Sequence, residues 1–70
     1  MITRFKVKQA AGGHFYLEDS KGVDVLKSNG YTSKKLLVDA AKEVLKKGEE
    51  YKGAVIKSSK KTAEGFEIET

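Results

Sequence analysis

The chain has 70 residues, with 14 basic side chains against 10 acidic ones and a net charge of +4, so it can form one domain with a small core. Cysteine, proline and tryptophan are absent, so neither a disulfide framework nor a thiolate metal site can add stability. An apolar fraction of 39% beside a charged fraction of 34% excludes a disordered tail, and apolar runs such as Leu36–Val38 are far too short for a membrane span.

The first segment, "MITRFKVKQ", alternates. Thr3, Phe5 and Val7 fall on one side and Arg4, Lys6 and Lys8 on the other, the period of a half-buried strand over residues 2–9. No apolar stretch follows its basic residues, so a signal peptide is not expected and a cytoplasmic protein is. Gly12-Gly13 is a hairpin signal, because adjacent glycines accept positive φ. "HFYLED" resumes the alternation, with Phe15 and Leu17 inward and His14, Tyr16 and Glu18 outward. After a turn at Gly22, "VDVLKS" reads as a third strand with Val23 and Val25 facing the core. Three antiparallel strands in a meander are expected.

Asn29-Gly30 then breaks the strand, and Thr32 or Ser33 offers a hydroxyl as helix N-cap. The helix is expected over residues 33–47. It closes on Lys46, Lys47 and Gly48, since cations suit the negative end of the dipole and glycine permits a left-handed exit. Leu36, Leu37, Val38, Ala40, Ala41, Val44 and Leu45 fill an arc of roughly 200°, wider than the stripe that covers one sheet. Part of that arc, at Leu36 or Val38, is left for a second partner. Residues 54–59 read as a short strand, 60–65 as a loop, and 66–70 as a final strand with Phe66 and Ile68 inward and Glu67 and Glu69 outward. The expected order is βββαββ: an α+β fold in which one helix covers one face of an antiparallel sheet. It divides into a βββα unit, 1–48, and a C-terminal hairpin, 49–70.

These residues resemble the YegP-like family, small bacterial domains often found as tandem repeats. The resemblance is carried by Phe5 and Val7, Gly13, Phe15 and Leu17, then Val25, Leu26 and Ser28, and most distinctively by "YTSK" at Tyr31–Lys34. It spans residues 5 to 47. Lys21-Gly22 stands where the family tends to an Asn-rich turn, and one full unit plus a hairpin stands in place of two units. The family implies the fold and the packing of one unit against another, in tandem or as a dimer. It implies no activity.

Catalysis is not expected. The only histidine, His14, has no orienting partner at fixed spacing, and no serine sits in a nucleophile motif. Asp19, Asp24, Asp39 and Glu43 match no metal-ligand pattern, and Asp39 and Glu43 lie among lysines on the polar helix face. No cofactor or small-molecule substrate is implied. Two binding roles remain. The first is a small binding or assembly module that uses protein contacts, with Leu36, Val38, Val55 and Ile56 as the uncovered apolar residues. A dimer and a self-contained monomer are equally open. The second is an accessory nucleic-acid binder, in which Arg4, Lys6 and Lys8 track phosphates beside His14 and Tyr16 on an exposed sheet face. A pI near 9.4 favours it. Pairing of the last strand with the first would instead place Glu67 and Glu69 against Arg4 and Lys6 and neutralise that face. An inhibitor encoded by a mobile element is a third class that names no residues.

Overall fold

The computed structural model describes residues 1–70, and its architecture is α+β. Strands β1 (Ile2–Gln9), β2 (Phe15–Asp19) and β3 (Asp24–Val25) form the meander. A short 3-10 turn, Lys27–Asn29, leads to α1 (Lys34–Val44), followed by β4 (Glu50–Tyr51), β5 (Ala54–Val55), β6 (Ser58–Lys61) and β7 (Gly65–Glu69). Five strands make one antiparallel sheet in the order β3-β2-β1-β7-β6, while β4 and β5 form a separate hairpin. The first strand is therefore central, and the last strand pairs with it.

Alternation in the paired strands sends Phe5, Leu17, Phe66 and Ile68 to one face, where they are fully buried. The helix lies on that face and adds Leu37, Val38, Ala41 and Leu45, while Ile56 closes the core from the segment between β5 and β6. Phe5 and Phe66 stand directly opposite one another across β1 and β7. The Tyr51 ring meets Phe5 edge-on, centroids 5.4 Å apart, so the small hairpin caps the same cluster.

Helix α1 starts where its cap dictates. Ser33 is extended, and its Oγ accepts from the Leu36 amide at 3.1 Å. Ser33→Ala is expected to lower unfolding free energy by about 1 kcal/mol, read as a shift of the urea midpoint without a change of slope. The helix is shorter than the expected 33–47. It ends at Val44, and Leu45, still on the buried face one turn after Ala41, leaves helical geometry (φ −108°, ψ 41°). Gly48, at φ 93°, belongs to the turn beyond.

Two strand expectations need correction. The third strand keeps only Asp24 and Val25, because Leu26 takes a left-handed conformation (φ 61°) and turns the chain into the 3-10 segment. Val23 lies before β3, in the turn bonded to Asp19, and is 40% exposed rather than in the core. The expected strand 54–59 is split. Ala54–Val55 pairs back on Glu50–Tyr51, Ile56 drops inward, and the next sheet strand is Ser58–Lys61. Residues 49–70 thus supply β6 and β7 to the single sheet as well as the extra hairpin.

Candidate functional site

Three places on this frame carry chemistry: the sheet face away from the helix, the flank of the helix, and a buried carboxylate beneath the small hairpin.

The open sheet face collects the residues expected of a nucleic-acid site. Arg4, Lys6 and Lys8 project from β1 and Tyr16 from β2. His14, half-buried just before β2, continues that face, with its carbonyl accepting from the Ala10 amide at 2.8 Å. Acidic residues share the face in register. Glu67 stands opposite Arg4 on one side and Lys60 on the other, and binds both, at 3.4 and 3.5 Å. Glu18 lies opposite Lys6 and within 3.9 Å of the Lys8 ammonium. The Tyr16 ring, which would serve as a stacking platform, has the Lys27 ammonium 4.9 Å from its centroid, and Lys27 also pairs with Asp24 at 3.2 Å. Lys6 is left without an ion-pair partner, while Glu69 faces Ile2 rather than Lys6. The face is a mixed lattice that keeps a basic excess at Lys6, and its exposed pairs each contribute little to stability.

On the helix, the over-wide apolar arc divides cleanly. Leu37, Val38, Ala41 and Leu45 are core. Leu36 and Val44 remain 52% and 49% exposed, with half-buried Ala40 between them at helical spacing. Of the four residues expected at a protein interface, Leu36 and Val55 (57% exposed) are uncovered. Val38 and Ile56 are not interface residues; both are buried, Val38 beneath the helix and Ile56 under the hairpin. Val44 joins the exposed set instead. Its place on the wheel, one turn beyond Ala40, was the available signal.

Sequence reasoning missed the third place. Asp19, at the end of β2, is 5% exposed and points inward. Its Oδ1 accepts from the amides of Lys21 and Val23, both at 2.9 Å, and its Oδ2 accepts from the Tyr51 hydroxyl at 2.8 Å and the Lys52 ammonium at 3.1 Å. Burial alone would raise the Asp19 pKa. The bonds from Val23, Tyr51, Lys52 and Lys21 outweigh it and hold the carboxyl far below the usual carboxylate range. Burial, then the hydrogen bond and charge of Asp19, push the Tyr51 phenol well above its ordinary value. A carboxylate saturated by four donors has no capacity left to take a proton near neutrality, so this network fastens the hairpin to the sheet. Its local half is legible as an Asx-type turn over Asp19-Ser20-Lys21-Gly22; its distant half, Tyr51 and Lys52, is not.

No three His, Asp or Glu side chains converge closely enough to hold a metal ion, and no helix is long and apolar enough to cross a membrane. Comparison of the chain with models of protein families, with curated proteins and with solved structures finds no match.

Proposed function

We propose that the chain is a small, non-catalytic assembly module that binds protein through the uncovered flank of α1, and that the partner is a second copy of itself. The observation that carries this reading is the exposure of Leu36 and Val44 on one side of the helix, on either side of the small Ala40. Antiparallel packing of two such helices about Ala40 sets Leu36 of each copy against Val44 of the other, the self-complementary arrangement that two-fold symmetry requires. Large apolar side chains half-exposed on a core this small are worth covering, at roughly 25 cal/mol per Å² removed from water. The "YTSK" segment at Tyr31–Lys34 supports the same reading, because the YegP-like domains it resembles occur in tandem, one unit beside another.

Binding rather than catalysis is supported by the side chains themselves. Asp19 is consumed by four donors. Two of the three basic sheet residues of the nucleic-acid reading, Arg4 and Lys8, are partnered by Glu67 and Glu18, which weakens that alternative.

Light scattering over a concentration series tests the proposal. The wild-type mass is expected to rise towards that of a dimer. Leu36→Lys with Val44→Lys is expected to remain monomeric with an unchanged circular dichroism spectrum, since both positions face solvent within one copy. A wild-type mass that stays monomeric at millimolar concentration rejects the self-association.

A further inference from the structure

The two edges of the main sheet are unlike. At one end, β3 is only two residues long, and beyond it Tyr31 closes on Phe15, whose amide donates to the Tyr31 carbonyl at 2.7 Å. At the other end, β6 runs for four residues with β7 as its only neighbour. The Thr62–Gly65 pair exchanges both of its backbone hydrogen bonds at 3.2 Å. By the alternation of an antiparallel ladder, Lys60 and Ser58 then turn their amides towards β7, while Ser59 and Lys61 turn theirs outward to solvent. An unpaired edge of this kind is a template for one more strand.

Charge decides which strand fits. Lys57, Lys60 and Lys61 line this edge, with no acidic residue on β6. Lys61 faces the helix side, opposite Phe66, and borders a groove of about 330 Å³ between α1 and the β6–β7 turn, floored by Val7 and Val38 and flanked by Lys34 and Lys35. Asp39 and Glu64 also line the groove, leaving three lysines against two carboxylates. Lys34 and Lys35 occupy the first turn of α1, where the helix dipole disfavours cations and no acidic residue compensates them. Their charge adds to that of Lys61 at the groove. Lysines on an edge repel another basic edge, and they attract an acidic one.

We propose that the free edge of β6 accepts an acidic, extended peptide as a sixth strand. Its backbone pairs with Ser59 and Lys61, and its alternate carboxylates are held by Lys34, Lys35 and Lys61 on the helix side. The main-chain bonds supply affinity, and the lysines where the groove meets the Lys61 end of β6 supply the preference for acid there. This surface is separate from the Leu36–Val44 flank, so dimerisation and strand addition stand or fall independently.

The test is a titration of the ¹⁵N-labelled full chain with a blocked hexapeptide alternating glutamate and valine, beside one alternating lysine and valine. The acidic peptide is expected to shift the amides of Ser59 and Lys61 and slow their hydrogen exchange; the basic peptide is expected to leave both unchanged. Ser59→Pro removes an outward amide at a position where an edge strand tolerates proline. It is expected to weaken binding about fivefold, the equivalent of one lost hydrogen bond. Lys61→Glu, an exposed substitution that keeps the fold, is expected to weaken it further. No shift at residues 58–61 with the acidic peptide overturns the proposal. So does undiminished binding by folded Ser59→Pro, which would mean ionic contact without strand pairing, or a response confined to Leu36 and Val44.

Discussion

Asp19→Ala is expected to lower the unfolding free energy by about 3–5 kcal/mol, because it strands two backbone amides, a phenol and an ammonium that now share one buried carboxylate. A domain of this size holds only about 4–10 kcal/mol in total, so the variant loses a large share of its stability, which a urea melt would read as a lowered midpoint. Asp19→Asn separates the halves of the network. Its carbonyl oxygen can still accept from Lys21 and Val23, while its amide nitrogen faces the Lys52 ammonium, a donor against a donor, so an intermediate loss is expected. The pH dependence follows from the depressed folded pKa. The carboxylate's contribution is complete above about pH 5 and is lost as pH falls through the unfolded value of ~3.9 and below. Tyr51 runs the other way: its raised pKa gives a contribution complete below the ordinary phenol value and lost as pH climbs past it. Wild-type stability should therefore fall on acidification, and Asp19→Asn should flatten that acid limb. An acid limb as steep in Asp19→Asn as in wild type would show that the carboxylate does not hold the hairpin.

Gly65→Ala is expected to cost about 2–4 kcal/mol, from a backbone position of φ +154° that L residues rarely adopt and from direct collision. A Cβ there would stand 2.8 Å from the Phe5 carbonyl oxygen and 3.1 Å from the Val7 amide nitrogen. Neither is a flexible side chain, so β1 and β7 must part where Lys6 faces Gly65, next to the Phe5–Phe66 pair. The melting temperature is expected to drop by about 10–30 °C, on a scale of roughly 4–8 °C per kcal/mol for a domain this small. Gly13→Ala is the control: its φ of +91° is also left-handed, but nothing lies within 4 Å of the added carbon. It should lose only about 1 kcal/mol. Equal losses at the two positions would show that backbone conformation, and not the close approach of two strands, makes Gly65 necessary.

The parts of this architecture with strong periodicity were legible from residues alone. Ile2–Gln9, Phe15–Asp19 and Phe66–Glu69 alternate apolar and polar side chains because one face of the sheet is covered and the other is wet. Ser33 announces the helix by its hydroxyl. What stayed hidden has physical reasons. Ser58–Lys61 contains no apolar residue, so an edge strand that contributes little to the core leaves no hydrophobic pattern to read. The β4–β5 hairpin turns on Lys52-Gly53, both at positive φ (50° and 83°), and a lysine is an unusual first residue for such a turn. Leu26 in a left-handed conformation contradicts the strand preference of its neighbours. Among the candidate surface residues, the helical wheel left Leu36 and Val38 as alternatives for the uncovered part of the arc, and the structure exposes Leu36 and buries Val38. The wheel could not rank Val38 against Val44, because the direction of the sheet beneath the helix is a tertiary fact.

The placement of β1 between β2 and β7 carries a consequence for how the molecule comes together. Arg4 and Glu67, partners across that central seam, are 63 residues apart in the chain. A growing polypeptide can form the early meander and the helix, yet it leaves one side of its first strand bare until Phe66 and Ile68 emerge. Long-separated pairings of this kind slow the search for the native state and make it all-or-none. Removing the last six residues should therefore leave a collapsed species with a sticky open seam and no independently folded remainder.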